Sequence, residues 1–329
     1  MKGRRVIWPE RAKVAVEDFE VPATEPDQVL VRTQFSIISP GTERASLLSL
    51  PLVLGEFPKM AGYTASGVIL ETGSAVTLLR PGDRVTCTSG HATLAVVPQD
   101  RVLPVPDGVS LEDAAWVNLA TMALLGPRLA RIELGEPTLV IGLGPVGQLA
   151  AQMARLQGAA PVIGADVEDF RLSVAAKCGT VPLKANGPNF RDDLLALTDG
   201  RGPAVVIEAT GHPQPIVQAL EAAAAGGRVV LLATPRGVTE SVDFCNTVHR
   251  RSLTVMGAYA SRRPPRNFSP AGVSAWQGDA EAILKLLAGN LLDVAALTTH
   301  KMSIEYAPEA YQMVMEWRPD VLGVLLDHR

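Results

Sequence analysis

The stretch "VIGLGPVG" places Gly142, Gly144 and Gly147 in the G-x-G-x-x-G spacing. Glycines so spaced let backbone N–H groups approach a pyrophosphate. The first permits a tight turn, the second the close approach, and the third a close packing of helix on strand. Pro145 and Val146 complete the loop. The helix opening there offers unpaired N–H groups and a positive dipole end to phosphate. Nineteen residues after Gly147 comes Asp166, at the end of the next strand "PVIGAD". An acid there accepts hydrogen bonds from the adenosine ribose. Its charge repels a 2′-phosphate, which favours NAD over NADP. Arg171 complicates that choice, because a guanidinium can stack over adenine or take a phosphate.

Such a loop works only between a strand and a helix, and the sequence supplies both. "TLVIGLG" reads as a strand and "PVGQLAAQMARLQG" as a helix. The alternation continues through "APVIGAD", "VEDFRLSVAAKCG", "AVVIEATG", "PQPIVQALEAAAAGG", "RVVLLA" and "LTVMGAY". Strand-helix alternation with continuously apolar strands predicts a parallel sheet covered on both faces, a doubly wound α/β fold. Ligands of such sheets bind at the carboxyl ends of the strands. "IEATG" and "LLATP" each end one of these strands, so Thr210 and Thr234 become candidate contacts to the ribose or nicotinamide half. A helix N-cap role is the competing reading of each threonine. His212 reads as part of a turn.

The first third has a different character. "QVLVRTQFSII", "ASGVILETGSAV", "RPGDRVTCTSG", "HATLAVVP" and "RVLPVPDGVS" read as short strands punctuated by turns. "SLEDAAWVNLATMALLGPRLARI" then predicts a long apolar helix capped by Ser110. Near the other end, "DAEAILKLLAGN" and "APEAYQMVMEW" read as helices and "DVLGVLLDH" as a strand. The division predicts a β-rich domain over 1–118, completed by 263–329, and a dinucleotide-binding domain over 119–262. Between them "SRRPPRNFSPAGVSAW" reads as a loop. Its Arg262, Arg263 and Arg266 either attract an anionic substrate or form a solvated surface.

The chain's 329 residues suit two domains, and a net charge of −4 lacks the basic excess of a nucleic-acid surface. No apolar run is long enough for a signal peptide or a membrane span, so a soluble, cytoplasmic protein is expected. The three cysteines, Cys87, Cys178 and Cys245, are odd in number and far apart, which argues against a disulfide framework.

Three segments carry a resemblance. "GYTASGVILETGSAVTLLRPGDRV", "TLVIGLGPVGQLAAQMARLQGA" and "LTTHKMSIEYAPEAYQMV" resemble the medium-chain dehydrogenase/reductase superfamily, over nearly the whole chain. The resemblance implies a GroES-like catalytic domain, a Rossmann domain, an active site in the cleft between them, and a homodimer paired through the last strands of the dinucleotide sheet. Zinc-containing members hold a metal with a cysteine, a histidine and a third ligand. Here "SPGTE" puts Pro40 at the first position, "AGYTASG" puts Tyr63 at the second, and "AAWVNLAT" puts Asn118 at the third. Proline has no ligating side chain, and tyrosine and asparagine are poor zinc ligands. Cys87 and His91 are too few to close a site. The pattern resembles a zinc-free branch that includes bacteriochlorophyllide dehydrogenases and bi-domain sugar oxidoreductases, and no metal is expected.

In that frame Thr42 falls at a hydroxyl-relay position and Tyr63 where a ligand stood. Tyr63 is then a hydrogen-bond donor to the substrate oxygen, or a general acid/base if its pKa is shifted down. Glu43 orients Thr42 or pairs with Arg44. The bland readings are that Tyr63 fills the metal's volume, Thr42 caps a helix beginning after it, and His91 is structural. The expected function is an NAD-dependent, zinc-independent oxidation of a secondary hydroxyl on a sugar, cyclitol or secondary metabolite. The alternatives are reduction of an activated C=C bond, as in quinone or enoyl reductases, and a non-enzymatic role that keeps the fold.

Overall fold

The computed structural model describes residues 1–51, 53, 55–260 and 275–329. Arg262, Arg263 and Arg266, with the loop that carries them, lie outside the described residues. The chain forms two compact units, Met1–Thr121 with Trp276–Arg329, and Met122–Ala275. The sequence puts these divisions at 118/119 and 262/263; the units divide at 121/122 and 275/276.

In the first segment, β1 (Lys2–Trp8), β2 (Ala15–Glu20) and β3 (Gln28–Ile38) lead into α1 (Pro40–Leu47). Then come β4 (Lys59–Met60), β5 (Ala65–Thr72), β6 (Arg84–Cys87), β7 (Leu94–Pro98) and β8 (Val102–Pro104). The expected long helix after Ser110 is instead two, α2 (Leu111–Ala114) and α3 (Val117–Ala130). The cause lies in the carbonyls of the first. The Ser66 hydroxyl donates to Leu111 O, Thr86 to Ala114 O at 2.9 Å, and Thr64 to Ala115 O at 2.6 Å. Ala114 O and Ala115 O are acceptors that a continuing helix would use, whereas Leu111 O still accepts from Ala115 N–H at 3.1 Å.

The second unit holds β9 (Thr138–Ile141), α4 (Pro145–Gln157), β10 (Val162–Asp166), α5 (Asp169–Lys177), β11 (Val181–Lys184) and α6 (Phe190–Ala196). It continues with β12 (Val205–Glu208), α7 (Pro213–Ala222), β13 (Arg228–Leu231) and β14 (Thr254–Gly257). All six strands are parallel, in the order β11-β10-β9-β12-β13-β14. Every residue of β9, β10 and β12 is buried, as a sheet covered on both faces requires. Strand order reverses between β9 and β12, the crevice where ligands of such folds bind. The α/β expectation holds in this doubly wound sheet.

The chain then returns to the first unit with α8 (Trp276–Ala288), β15 (Thr298–Ser303), α9 (Ala307–Met315) and β16 (Gly323–Asp327). Here β16 lies between β15 and β3 in a seven-stranded sheet, while β1, β2 and β4 form a smaller one. One core of this unit packs Trp8, Ile38 and Leu47 against Tyr311, Val324 and Leu326, joining the two chain segments in a single hydrophobic interior. Among the described residues no helix is long and apolar enough to cross a membrane.

Candidate functional site

The glycine loop joins β9 to α4. Gly142 has φ +90°, and a Cβ there would lie 2.7 Å from the Thr210 methyl group. A Cβ on Gly147 would lie 1.8 Å from Gly142 O. Both positions therefore demand glycine for close approach. At Gly144, by contrast, a Cβ would meet nothing within 4 Å. Gly144 is the N-cap of α4, with Pro145 at its first position and no acid in the first turn. The loop leaves open space above a helix N-terminus, which fits a dinucleotide pyrophosphate.

Asp166 ends β10 and is 5% exposed. Its Oδ2 accepts from Leu143 N–H at 2.7 Å and its Oδ1 from Glu168 N–H at 2.9 Å. Arg171 Nη1 stands 3.7 Å from Oδ2. A carboxylate has about four acceptor sites, so capacity for a ribose hydroxyl remains. The structure pairs Arg171 with Asp166, a placement the sequence reading did not consider.

At the end of β12, Glu208 is fully buried. Its Oε1 accepts from the Thr210 N–H at 2.7 Å and from the Thr210 hydroxyl, while its Oε2 has no partner. Burial pushes this carboxyl up to about 7, against the hydrogen bonds from Thr210 and Gly211. The Thr210 hydroxyl also accepts from His212 N–H at 3.0 Å. The N-cap of α7 is His212, so Thr210 shapes the turn before the helix and is not its cap. Thr234 is exposed beyond β13 and precedes no α-helix directly. The N-cap reading therefore describes neither threonine.

In the other unit, α1 begins earlier than the sequence suggests. Ser39 is its N-cap, Pro40 and Gly41 are already helical, and Thr42 sits exposed within the first turn. Thr42 is thus not a cap. Glu43 is 2% exposed. Its Oε1 accepts from Ser39 N–H at 2.8 Å, and its Oε2 from the Tyr311 hydroxyl. His91 Nε2 stands 3.2 Å from the same Oε2. Glu43 therefore bonds neither Thr42 nor Arg44. Arg44 Nε instead donates to Met315 O at 3.1 Å.

His91 is fully enclosed. Its Nδ1 lies 2.7 Å from Ser36 Oγ, which is 2.7 Å from His328 Nε2. Backbone bonds hold the residue on both sides: His91 N–H donates to Ala61 O at 2.8 Å, and Val6 N–H to His91 O at 2.8 Å. The reading of His91 as structural omits its tie to Glu43. Nothing local in the sequence signals that tie, because Glu43 and His91 stand 48 residues apart.

The Tyr63 hydroxyl is buried and makes no hydrogen bond of ordinary geometry. Its pKa is raised, first by burial and then by the Glu43 charge, with the Ser39 and Thr42 side chains pulling weakly the other way. The acid/base reading required the opposite shift. Tyr63 therefore stays protonated across the physiological range and is suited to donating a hydrogen bond, not to removing a proton.

The positions that would hold zinc do not fit the ion. Pro40 offers no side-chain donor. Tyr63 is held as a neutral phenol. Asn118 spends its amide on the protein: Nδ2 donates to Tyr63 O at 2.7 Å, and Oδ1 accepts from Trp276 Nε1 at 2.8 Å. Burial also raises the Cys87 thiol to about 11. Among the described residues no group of three His, Cys, Asp or Glu is placed to bind a metal ion.

The strand order, glycine loop and terminal acid define a dinucleotide-binding oxidoreductase fold. Comparison with known proteins agrees. Residues 145–273 match the zinc-binding dehydrogenase family. The chain is 27% identical to L-threonine 3-dehydrogenase of Bacillus velezensis, over 78% of this chain and 79% of that one. It is 28% identical to D-guloside 3-dehydrogenase of Shigella flexneri, over 80% and 76%. Its fold superposes on 2R,3R-butanediol dehydrogenase of Bacillus subtilis with a TM-score of 0.86, at 19% identity, covering 99% and 100% of the two chains. The relatives and neighbours are named as dehydrogenases, and the chain is an enzyme of the oxidoreductase kind.

Proposed function

We propose that the chain oxidises a secondary hydroxyl of a sugar, cyclitol or related metabolite with NAD, and without zinc. The observation that carries this reading is the donor set at Pro40, Tyr63 and Asn118. None of the three is a customary zinc ligand, Asn118 is already hydrogen-bonded to the protein, and Tyr63 brings a neutral phenol to the cluster, which supports the reading. Asp166, at the end of β10, supports NAD over NADP by its charge.

A bound nicotinamide supplies the hydride acceptor. Gly142, Gly144, Pro145, Val146 and Gly147 would hold its pyrophosphate, Asp166 with Arg171 the adenosine ribose, and Thr210 and Thr234 the nicotinamide half. Tyr63 donates its O–H to the substrate oxygen and polarises it. Thr42 offers a second hydroxyl from the exposed first turn of α1. Burial first, and the Glu43 charge second, keep the phenol protonated. The same neutral phenol suits the carbonyl of an enone, which keeps reduction of an activated C=C bond as the second reading.

The enzyme works as a cytoplasmic homodimer in this proposal. Strand β14 is the sheet edge, Val255 is 41% exposed, and Tyr259 beyond it is exposed too. The free thiols of Cys87, Cys178 and Cys245 suit a reducing compartment.

The test is turnover of a panel of polyols, secondary alcohols and enones with NAD, NADP and their reduced forms, with metal analysis of the same protein. Oxidation of an alcohol with NAD and without zinc is expected. Activity only on enones, or one zinc per chain, overturns the reading.

A further inference from the structure

Glu208 is a buried acid that the proposed reaction leaves unused. It is the last residue of β12, level with Ile141 of β9 and Leu231 of β13, at the crevice where strand order reverses. The turn after it abuts the glycine loop. A Cβ on Gly142 would lie 2.9 Å from Thr210 N, and one on Gly147 would lie 3.5 Å from Ala209 Cβ. Glu208 Oε1 holds that turn through the N–H and the hydroxyl of Thr210. Oε2 is buried too and bonds nothing. We propose that Glu208 selects between the redox forms of the cofactor: as a carboxylate it favours the cationic nicotinamide of NAD+, and as a neutral acid the uncharged ring of NADH. This rests on the assignment above of the nicotinamide half to Thr210, the residue that Glu208 positions.

A buried carboxylate needs a positive partner, or it takes up a proton. Among the described residues the elements packed around Glu208 supply no such partner. Strand β9 has no titratable side chain, and Arg228 of β13 lies at that strand's far end, paired with Glu136. Helix α7 brings His212 at its start and the exposed Glu221 near its end. Gly126 of α3 faces Ile207, with Arg128 in that helix's last turn. Beyond β13, Arg236 meets the Thr210 turn through its backbone, donating to Gly211 O at 3.0 Å. None of these charges sets the state of Glu208: burial raises its pKa, opposed only by hydrogen bonds from Thr210 and Gly211.

A pyridinium at the Thr210 turn is the missing positive charge. An uncharged ring in the same place displaces water and deepens the burial. NAD+ binding therefore lowers the Glu208 pKa and NADH binding raises it. Affinity for NAD+ rises as pH increases through about 7, and affinity for NADH falls. Neutral Glu208 gives up its proton as NAD+ binds, and its carboxylate takes one up as NADH binds. That proton exchanges with solvent beside Thr210, which is only half-buried, while the crevice is open for binding. Glu208 is a positioning and specificity residue; it is not assigned to touch substrate.

Equilibrium titration of the intact protein with NAD+ and with NADH, across roughly pH 5.5–8.5, tests this without turnover. The ratio of the NAD+ Kd to the NADH Kd is expected to fall about tenfold as pH rises, because a tenfold change corresponds to about one pKa unit between the two complexes. Calorimetry near neutral pH, in two buffers of different ionisation enthalpy, is expected to show proton release with NAD+ and uptake with NADH. Glu208→Gln keeps an oxygen for Thr210 and is expected to give a flat ratio and no proton exchange. His212→Gln, which removes the neighbouring imidazole, is expected to keep the wild-type fall. A flat wild-type ratio, a fall that persists in Glu208→Gln, or one that vanishes in His212→Gln overturns the proposal. The wild-type and His212→Gln results decide even if Glu208→Gln does not fold. Binding of both forms without oxidation of any alcohol overturns the dehydrogenase reading alone. If only NADP+ and NADPH bind, the same ratio is read with that pair; binding of neither pair overturns both.

Discussion

Gly62 holds the space that the His91 ring occupies: three ring atoms lie 2.6 Å from where a Cβ of residue 62 would stand. Gly62 also has φ +82°. Gly62→Ala meets both penalties, a left-handed backbone and a displaced imidazole. We expect it to cost about 1–3 kcal/mol of stability, read as a lowered Tm. Loss of turnover beyond that expected from the folded fraction would report the displaced His91.

Two glycines of the dinucleotide loop differ in what an alanine does. Gly147→Ala drives a methyl group to 1.8 Å from a backbone oxygen, so the loop itself must move. It is expected to lower both Tm and NADH affinity. Gly144→Ala projects into open space, so the fold is kept while the methyl group occupies the proposed pyrophosphate position. Unchanged Tm with about tenfold or more weaker NADH binding, measured by fluorescence titration, is the expected result.

Glu208 makes stability depend on pH. Its folded pKa is raised from 4.5 to about 7. The folded state therefore binds more protons than the unfolded state between those values. Stability is full below about 4.5 and falls as pH rises through about 7, by an amount of order 3 kcal/mol. Glu208→Gln is expected to flatten that part of the Tm-against-pH curve. A wild-type curve that rises across the same interval contradicts the assignment.

Tyr63→Phe separates chemistry from packing. The change removes a buried hydroxyl that has no hydrogen-bond partner, so Tm is expected to hold or to rise by the equivalent of about 1 kcal/mol. Turnover is expected to fall about a hundredfold, since a donor to the reacting oxygen is lost. Unchanged turnover would leave Tyr63 a packing residue.

Metal removal offers a further check. Prolonged chelation is expected to leave turnover unchanged, and zinc content to stay well below one per chain. Activity lost on chelation and restored by zinc would contradict the proposal.

Much of the fold was legible because it rests on local rules. "QVLVRTQFSII" is β3, Gln28–Ile38, residue for residue, and the glycine loop lies between a strand and a helix as its pattern demands. Other features were not local. The helix break at Ala115 and Trp116 goes with hydroxyls from Thr64 and Thr86 that bond Ala115 O and Ala114 O. Strand β11, with Pro182 inside a four-residue run, has too little periodicity to declare itself. The direction of the Tyr63 shift needs the depth of burial and the position of Glu43, neither of which spacing contains. The cluster around Glu43 gathers residues from both chain segments of its unit, so no window of sequence holds it.

That scattering bears on how the protein is made. The Met122–Ala275 unit is continuous and can close its parallel sheet as soon as it leaves the ribosome. The other unit must wait, because β16 is inserted between β15 and β3, and Tyr311 and His328 belong to its second segment. A nascent chain thus possesses a cofactor fold before its Glu43 has either of those neighbours. Synthesis order alone delays the assembly of the oxygen-handling cluster until the rest of the enzyme exists.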